Sequence, residues 1–502
     1  MAAEKSEALP EDLASAHQLI TKLQHEVHWL KHKLDALSRR LFGKKTERLS
    51  PDQLTLAYEQ LENELERPNE PDVPDANEAP AAGPSRPRRG RRAIPKNIRR
   101  VDVVLDIPEE EKSCADCGVQ RECIGEEVSE KYDFIPFEVV CEATHRLKYG
   151  SCGCRPGVLI AAPRPQAIEK GLATEGFLAW LLTSKYADHL PLYRLEGILA
   201  RHGAEISRQT LCDWVAACAD ALNPVYEHLR KKIVTVDYLQ TDDTPVTVLT
   251  GDKGSVTGRL WVYVDPLGKR VFFDATPTRG RDGPERVLKD FKGYLQADAY
   301  SAYDALYRTG PIVEVGCWAH VRRKFFDCRE QDPDALKMLA LIQKLYEVER
   351  QAAGMSHEER GALRQERSTP ILEKIDRVRD ELSPNALPKS GLGEALRYLH
   401  NQRDALGRYL LDGRLKPDNN GAENQLRVVA VGRKNWLFAG SLEGARRAAV
   451  LYTLVQGCKL AGVDPFRYFK DVLLRLATHP ASRIAELTPT GWAAAFGNTA
   501  EN

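Results

Sequence analysis

A glutamate that follows a strand-rich stretch only after a long helical detour constrains this chain more than any other feature. Residues 234–320 have the texture of strands. Arg259–Asp265 and Arg270–Asp274 flank Pro266-Leu267-Gly268, a pattern that predicts a hairpin. A helix over Pro284–Phe291, a strand ending at Asp298, a helix from Ser301 and a strand through Val313–Cys317 are expected next. Residues 331–412 turn to charged amphipathic helix with no strand signal. Only then comes Asp418-Asn419-Asn420-Gly421-Ala422-Glu423-Asn424-Gln425-Leu426-Arg427, with Glu423 on the opening turn of a helix. The strand core is therefore expected to be interrupted by an all-helical insertion.

Two acids upstream give that glutamate its meaning. Asp242 lies in Leu239–Pro245 and Asp298 closes Tyr294–Asp298, both at expected strand ends. Two strand aspartates and one helix glutamate form a donor set suited to two Mg²⁺ (or Mn²⁺) ions in phosphoryl transfer on a nucleic-acid backbone. Singly, each acid has an ordinary reading as a cap or turn residue, and Asn420 with Glu423 fits the spacing of a capping box. Period-two alternation does not decide between Asp242 and Asp243. The joint pattern carries the argument.

With 502 residues the chain exceeds one ordinary core and is expected to form several domains. It has no apolar run of the length that crosses a membrane, and its opening residues, Met1–Leu13, are too polar and acidic for a secretory signal. Eleven cysteines, four of them in two tight pairs, point to a reducing compartment and a metal site rather than a disulfide frame. The formal net charge is zero, but the positive charge is clustered, and clusters govern phosphate binding.

Leu13, Ile20, Val27, Leu34 and Leu41 recur every seven residues, with Ala16, Leu23, Leu30 and Leu37 on the complementary seam. Residues 1–65 thus read as a coiled coil that multimerises the protein, or else as a helix packed on its own body. Residues 66–100 hold seven prolines and a basic second half that includes Arg88, Arg89, Arg91 and Arg92. This linker either tracks DNA phosphates or is a solvated charge run. Residues 101–160 carry Cys114 and Cys117, then Cys152 and Cys154, a four-thiolate set for one structural Zn²⁺. The second pair has one intervening residue instead of two, so Cys141, Cys123 or His145 could replace a ligand. Unligated thiols or a redox pair are the other reading.

Residues 161–230 are helical in pattern. Pro191–Ala200, stopped by His202-Gly203, is followed by a helix capped at Ser207, an arrangement of helix, glycine turn and helix. In a DNA-binding helix-turn-helix, Arg208, Gln209 and Thr210 would reach base edges; helical hairpins that bind nothing share the pattern. Beyond it, 231–330 would be the first part of the catalytic core, 331–412 the insertion, 413–440 the glutamate helix and 441–502 a C-terminal helical region.

Several stretches together resemble the DDE transposases of the insertion-sequence 66 family: Arg40-Leu41-Phe42-Gly43-Lys44-Lys45, Ser184-Lys185-Tyr186-Ala187-Asp188, Asp242-Asp243-Thr244-Pro245, Ala297-Asp298-Ala299-Tyr300, Cys317-Trp318-Ala319-His320-Val321-Arg322-Arg323-Lys324, and Asp418 to Glu423 with Gly432-Arg433-Lys434-Asn435-Trp436-Leu437-Phe438. The resemblance covers nearly the whole chain. It implies a multidomain α+β protein with a ribonuclease-H-like core and Asp242, Asp298 and Glu423 as its metal-binding triad. It further implies cutting at element ends and joining of the freed 3′-hydroxyls to target DNA by two-metal-ion phosphoryl transfer. Double-stranded DNA, both terminal inverted repeats and target, would be the partner, together with further copies of this chain and companion proteins of the same element. The setting would be the bacterial cytoplasm, at the nucleoid. His320, Arg322, Arg323, Lys324, Arg433 and Lys434 are candidates for phosphate contacts beside the cleft, with a structural role equally open to His320. The family's first signature usually reads Asp-Glu-Thr-Pro; here Asp243 replaces the glutamate. A non-catalytic DNA-binding regulator and a nuclease that cuts without joining are the rival readings.

Overall fold

The computed structural model describes residues 138–149, 159–160, 162, 164–168, 171–251 and 254–497. The heptads, the basic linker with Arg88, Arg89, Arg91 and Arg92, and the cysteines Cys114, Cys117, Cys152 and Cys154 lie outside the described residues. Within them, Lys148–Tyr149 pairs antiparallel with Leu159–Ile160.

Three helices lead into the sheet: α1 (Glu175–Tyr186), α2 (Leu192–Arg201) and α3 (Arg208–Ile233). Each start and turn has a local cause. Thr174 caps α1 through its hydroxyl, which accepts from the Phe177 N–H. Gly203, at φ 80°, makes the left-handed turn between α2 and α3 that a side chain would resist. Ser207 then caps α3, its Oγ accepting from the Thr210 N–H at 3.1 Å.

The sheet is built from β1 (Tyr238–Leu249), β2 (Ser255–Asp265), β3 (Arg270–Thr276), β4 (Gly293–Gln296), β5 (Ile312–Val315) and the short β6 (Phe438–Ala439). Its order is β3-β2-β1-β4-β5, with β6 pairing separately on β1. The first three strands form an antiparallel meander. β4 joins β1 in parallel, Gln240 opposite Gln296, and β5 joins β4 in parallel. At the β2–β3 turn Asp265 Oδ1 accepts from the Leu267 and Gly268 N–H groups, the local hydrogen bonding that makes aspartate a turn former. The expected hairpin is therefore present, each strand slightly longer than the residues that signalled it.

Four expectations need correction. Asp242 does not end a strand: β1 continues through Pro245 to Leu249. Proline is tolerated there because β4 pairs only as far as Gln240 and β6 begins opposite Thr247, leaving a gap that needs no donor. The helix expected over Pro284–Phe291 is α4 (Asp282–Leu288). Asp298 lies two residues beyond the end of β4 at Gln296. The helix from Ser301 opens as a 3₁₀ turn, Ser301–Tyr303, before α5 (Asp304–Thr309).

After β5, α6 (Trp318–Cys328) leads into the insertion, made of α7 (Asp334–Gln351), α8 (His357–Leu363), α9 (Thr369–Leu382), α10 (Gly391–Asn401) and α11 (Arg403–Gly407). It contains no strand among the described residues, as the sequence pattern predicts. Its apolar core includes Met338, Leu341, Ile375 and Leu399, and it is continuous with Trp318 and Phe325 of α6 and Tyr238 of β1. Burial of this kind stabilises by roughly 25 cal/mol per Å² of apolar surface, so the insertion is anchored to the sheet. The chain then returns as α12 (Asn420–Trp436), lying along β1, and closes with α13 (Leu442–Ala461), α14 (Pro465–Leu476) and α15 (Pro489–Phe496). α13 packs on β3, where the Phe273 N–H donates to Thr453 Oγ1 at 2.9 Å.

Candidate active site

Asp242, Asp298 and Glu423 come from three elements and meet beside the central strand of the sheet. Asp242 stands in the middle of β1, Asp298 just past β4, and Glu423 in the first turns of α12. Burial raises the Asp242 carboxyl to about 8; the Asp243 N–H bonded to it opposes the shift, and the charges of Asp298, Glu423 and Asp243 add to it. Burial also raises Asp298, against the pull of His320 and Arg279. These acids are therefore close enough to repel one another in a poorly solvated place.

Asp243 takes the other role. Its side chain is only 2% exposed and is held by Arg259 Nη1 at 3.0 Å and Arg279 Nη2 at 2.9 Å. Adjacent strand residues face opposite sides, and here the difference is one of partners: Asp243 has two arginines, while Asp242 has a single backbone N–H donor, that of Asp243, at 2.7 Å. The short aspartate side chain at 243 thus reaches both guanidiniums.

Arg279 was not singled out by its sequence context, because a lone arginine in Thr278-Arg279-Gly280 has no periodicity to reveal it. It lies 3.5 Å from Asp298 as well as against Asp243, and its guanidinium stacks on the Tyr300 ring at 3.7 Å. The Tyr300 hydroxyl donates to the Arg279 carbonyl at 2.7 Å, tying that loop to the Asp298 segment.

Glu423 is not the partner in a capping box. The N-cap is Asn419, which makes no side-chain cap bond, and Glu423 falls one position too late. Its carboxylate instead lies 3.8 Å from His320 Nε2. His320 Nδ1 is buried with no hydrogen-bond partner. The entry to α12 is set by a polar network that joins both aspartate strands. Gln240, two residues before Asp242, donates to the Gln296 side chain and to the Asp418 carbonyl, each at 2.8 Å. Gln296, two residues before Asp298, donates to the Lys416 carbonyl at 2.8 Å. Tyr346 of the insertion donates to Asp418 Oδ2 at 2.9 Å. A side chain on Gly421 would collide with Gln240 Oε1 and displace the Gln240 side chain from this network.

Among the described residues, no group of three or more His, Cys, Asp or Glu side chains already has the arrangement of a metal cage. The donor chemistry nevertheless fits a divalent cation. Three carboxylates converge, the most buried of them is held protonated by desolvation and like charge, and a buried ring nitrogen beside them lacks a partner.

The basic candidates divide. Arg433 Nη1 donates to Thr244 Oγ1 at 2.9 Å and to the Pro245 carbonyl at 2.7 Å, closing the gap beside β1. Lys434 is exposed. On α6, Arg322 lies over Phe326 and Lys324 over Tyr398, and Arg323 is exposed. Arg208 and Gln209 are exposed at the start of α3; Gln209 bonds Asp213, the Arg208 N–H bonds Glu196 at 2.8 Å, and Thr210 is engaged with the Ser207 cap. No helix among the described residues is long and apolar enough to cross a membrane.

Comparison with known proteins accounts for the same regions. A family model described as transposase IS66 family matches residues 170–447, and one described as IS66 C-terminal element matches 453–490. Towards the N-terminus, a model described as transposase C of IS166 homeodomain matches 29–103, and a zinc-finger binding domain of transposase IS66 matches 111–155. Uncharacterized protein y4qI of Sinorhizobium fredii is 34% identical over 479 residues, covering 91% of this chain and 87% of that protein. Uncharacterized protein y4hP of the same organism is 32% identical over 504 residues, covering 94% and 90%. No solved structure matches the chain. On a match that spans the sheet, the insertion and the glutamate helix, the chain belongs to the IS66 transposase family.

Proposed function

We propose that this chain is a DNA strand-transferase that cuts the ends of its element and joins the 3′-hydroxyls to target DNA, using a ribonuclease-H-like core. The observation that carries the proposal is the convergence of Asp242, Asp298 and Glu423 from β1, β4 and α12 on a sheet ordered β3-β2-β1-β4-β5. The three carboxylates would hold two Mg²⁺ (or Mn²⁺) ions. When bound, such ions neutralise charge on the transferring phosphate and lower the pKa of an attacking water.

The chain's own residues have separable tasks. Arg279 and Arg259 hold Asp243 and so fix β1 beside Asp242. The Gln240–Gln296 network sets the distance between the aspartate strands and the start of α12. His320, beside Glu423, is placed to orient that carboxylate. Arg322, Arg323, Lys324 and Lys434 provide positive charge for the DNA backbone, which supplies affinity without sequence preference. Arg208, Gln209 and Thr210, at the start of α3, would lie in the major groove in a helix-turn-helix. The zinc set Cys114, Cys117, Cys152 and Cys154, the basic linker with Arg88, Arg89, Arg91 and Arg92, and an N-terminal coiled coil that pairs two copies complete this reading.

The test incubates full-length protein with a labelled element end, Mg²⁺ and target DNA. Asp242→Asn and Asp298→Asn are expected to lower cleavage by at least about a hundredfold, the scale of losing one preorganised electrostatic group, while DNA binding persists. Cleavage by both variants within a few-fold of wild type would refute the proposal.

A further inference from the structure

Two of the signature stretches take no part in the carboxylate site. Ser184-Lys185-Tyr186 ends α1, and Trp436-Leu437-Phe438 joins α12 to β6. The fold brings both to the wall of one cavity of about 350 Å³, whose other side is formed by Val246 and Leu260 of the sheet and by Tyr452. The N-cap of α13, Ser441, and Gly444 and Ala445 of its first turn also line it.

The cavity is mostly apolar, with Cys212, Ser441 and the cations Lys185 and Arg447 on its wall. No hydrogen bond or ion pair among the described residues reaches the Lys185 ammonium, which lies 5.3 Å from the Tyr186 ring and interacts electrostatically with Cys212 on the same cavity wall. Burial pulls the Lys185 pKa down to about 8, with Cys212 opposing the shift. The N-terminus of α13, a helix of 20 residues, adds the positive end of its dipole. Glu443 in that first turn does not line the cavity and lies 3.5 Å from Arg446 and 3.9 Å from Arg447. Arg447 reaches the cavity wall but is engaged by Asp220 at 2.9 Å. A lone cation and a helix N-terminus around apolar walls call for a ligand with an anionic end and a flat apolar body.

The mouth has a second unusual feature. Leu437 adopts φ 63° and ψ −45°, a conformation in which a bulky side chain is strained. Leu437 is 64% exposed at this turn, and the next residue, Phe438, which lines the cavity, is 46% exposed. Apolar residues presented this way are the wedges that separate base steps, and aromatic rings accept unstacked bases.

We propose that the cavity receives one unpaired nucleotide of the DNA strand being processed. Its phosphate meets Lys185 and the N-terminus of α13, its base lies against Trp436 and Phe438, and Leu437 fills the space the base has left. The inference rests on the strand-transferase reading. Val246 is four residues from Asp242 on β1, about 13 Å at strand rise, so the captured nucleotide is a few positions from the reacting phosphate.

The test measures binding of the full-length protein to a blunt duplex and to the same duplex carrying a short single-stranded 3′ extension. Wild type is expected to prefer the extended duplex roughly five- to a hundredfold, the scale of one stacked base. In Lys185→Met and Phe438→Ala the ratio should fall towards one, and Lys185→Arg should restore it, which a misfolded variant would not do. A wild-type ratio of one, or a full ratio in both variants, would overturn the proposal. So would displacement of the extended duplex by an equal concentration of free deoxynucleoside monophosphate, which would make the cavity a nucleotide site. Failure to bind DNA in either form would instead remove the strand-transferase reading itself.

Discussion

In the helical insertion, the guanidinium of Arg364 is fully buried and each of its nitrogens is matched: two bonds of 2.7 Å to Glu349 and further bonds to the carbonyls of Tyr409, Asp412 and Leu415. Beside the central strand of the sheet, Asp242, Asp298 and Glu423 are gathered with far less compensation, and burial with mutual repulsion drives Asp242 to about 8. The first arrangement answers every charge and so holds the Tyr409–Leu415 segment in place before α12. The second stores repulsion that a bound cation would relieve. Buried charge that is satisfied serves the fold, and buried charge that is left unsatisfied is characteristic of sites that act on something.

The sharpest way to break that contrast is at the satisfied site. Arg364→Met leaves Glu349 buried and unpaired, and is expected to cost about 3–5 kcal/mol in urea denaturation. Adding Glu349→Leu should recover most of the loss, because the pair is then removed together. A loss below about 1 kcal/mol would mean that the knot is not the anchor described.

The opposite sign is expected beside the central strand. Asp242→Asn removes a carboxyl that must take up a proton to be buried there, so at neutral pH the metal-free protein should melt several degrees higher than wild type, consistent with the trade of stability for function at such sites. The pH dependence follows from the direction of the shift. Burial pushes the Asp242 carboxyl up to about 8 in the folded state, from an ordinary value of 3.8, so the folded state keeps a proton that the unfolded state has released. Metal-free wild type should therefore lose stability as pH rises from about 4 to about 8, and the Asn variant should lack that part of the slope. Mg²⁺ should raise the melting temperature of wild type more than that of the variant. Equal melting curves at every pH would remove the argument from repulsion.

How much of this was legible beforehand depended on whether the determinant was local. The hairpin turn at Pro266-Leu267-Gly268, the glycine turn before α3 and the strand-free insertion all carry their cause in adjacent residues. The run of β1 through Pro245 does not, since it depends on where β4 stops and β6 begins. The same holds for Glu423: spacing alone suggests a capping box, and only the packing of α12 on β1 turns it towards His320. Arg279 and the Gln240–Gln296 network became visible once strands distant in sequence lay side by side.

The smallest expected effect is at the turn between α2 and α3. Ser207→Ala removes the cap of α3 and should cost about 1 kcal/mol by denaturant titration. On the helix-turn-helix reading it should also weaken DNA binding modestly, because Arg208 and Gln209 sit on that first turn. A stability loss with unchanged DNA affinity would leave the turn as scaffold alone.

The central claim is that Glu423, delivered by α12 after the insertion, completes one site with Asp242 and Asp298. Its most direct test is strand cleavage by Glu423→Gln, which keeps the shape of the side chain and removes its charge. The account predicts a folded protein that binds the labelled element end yet fails to cleave it in Mg²⁺ or Mn²⁺. Cleavage at near wild-type rates would contradict it, and would reduce Glu423 to a surface residue of α12.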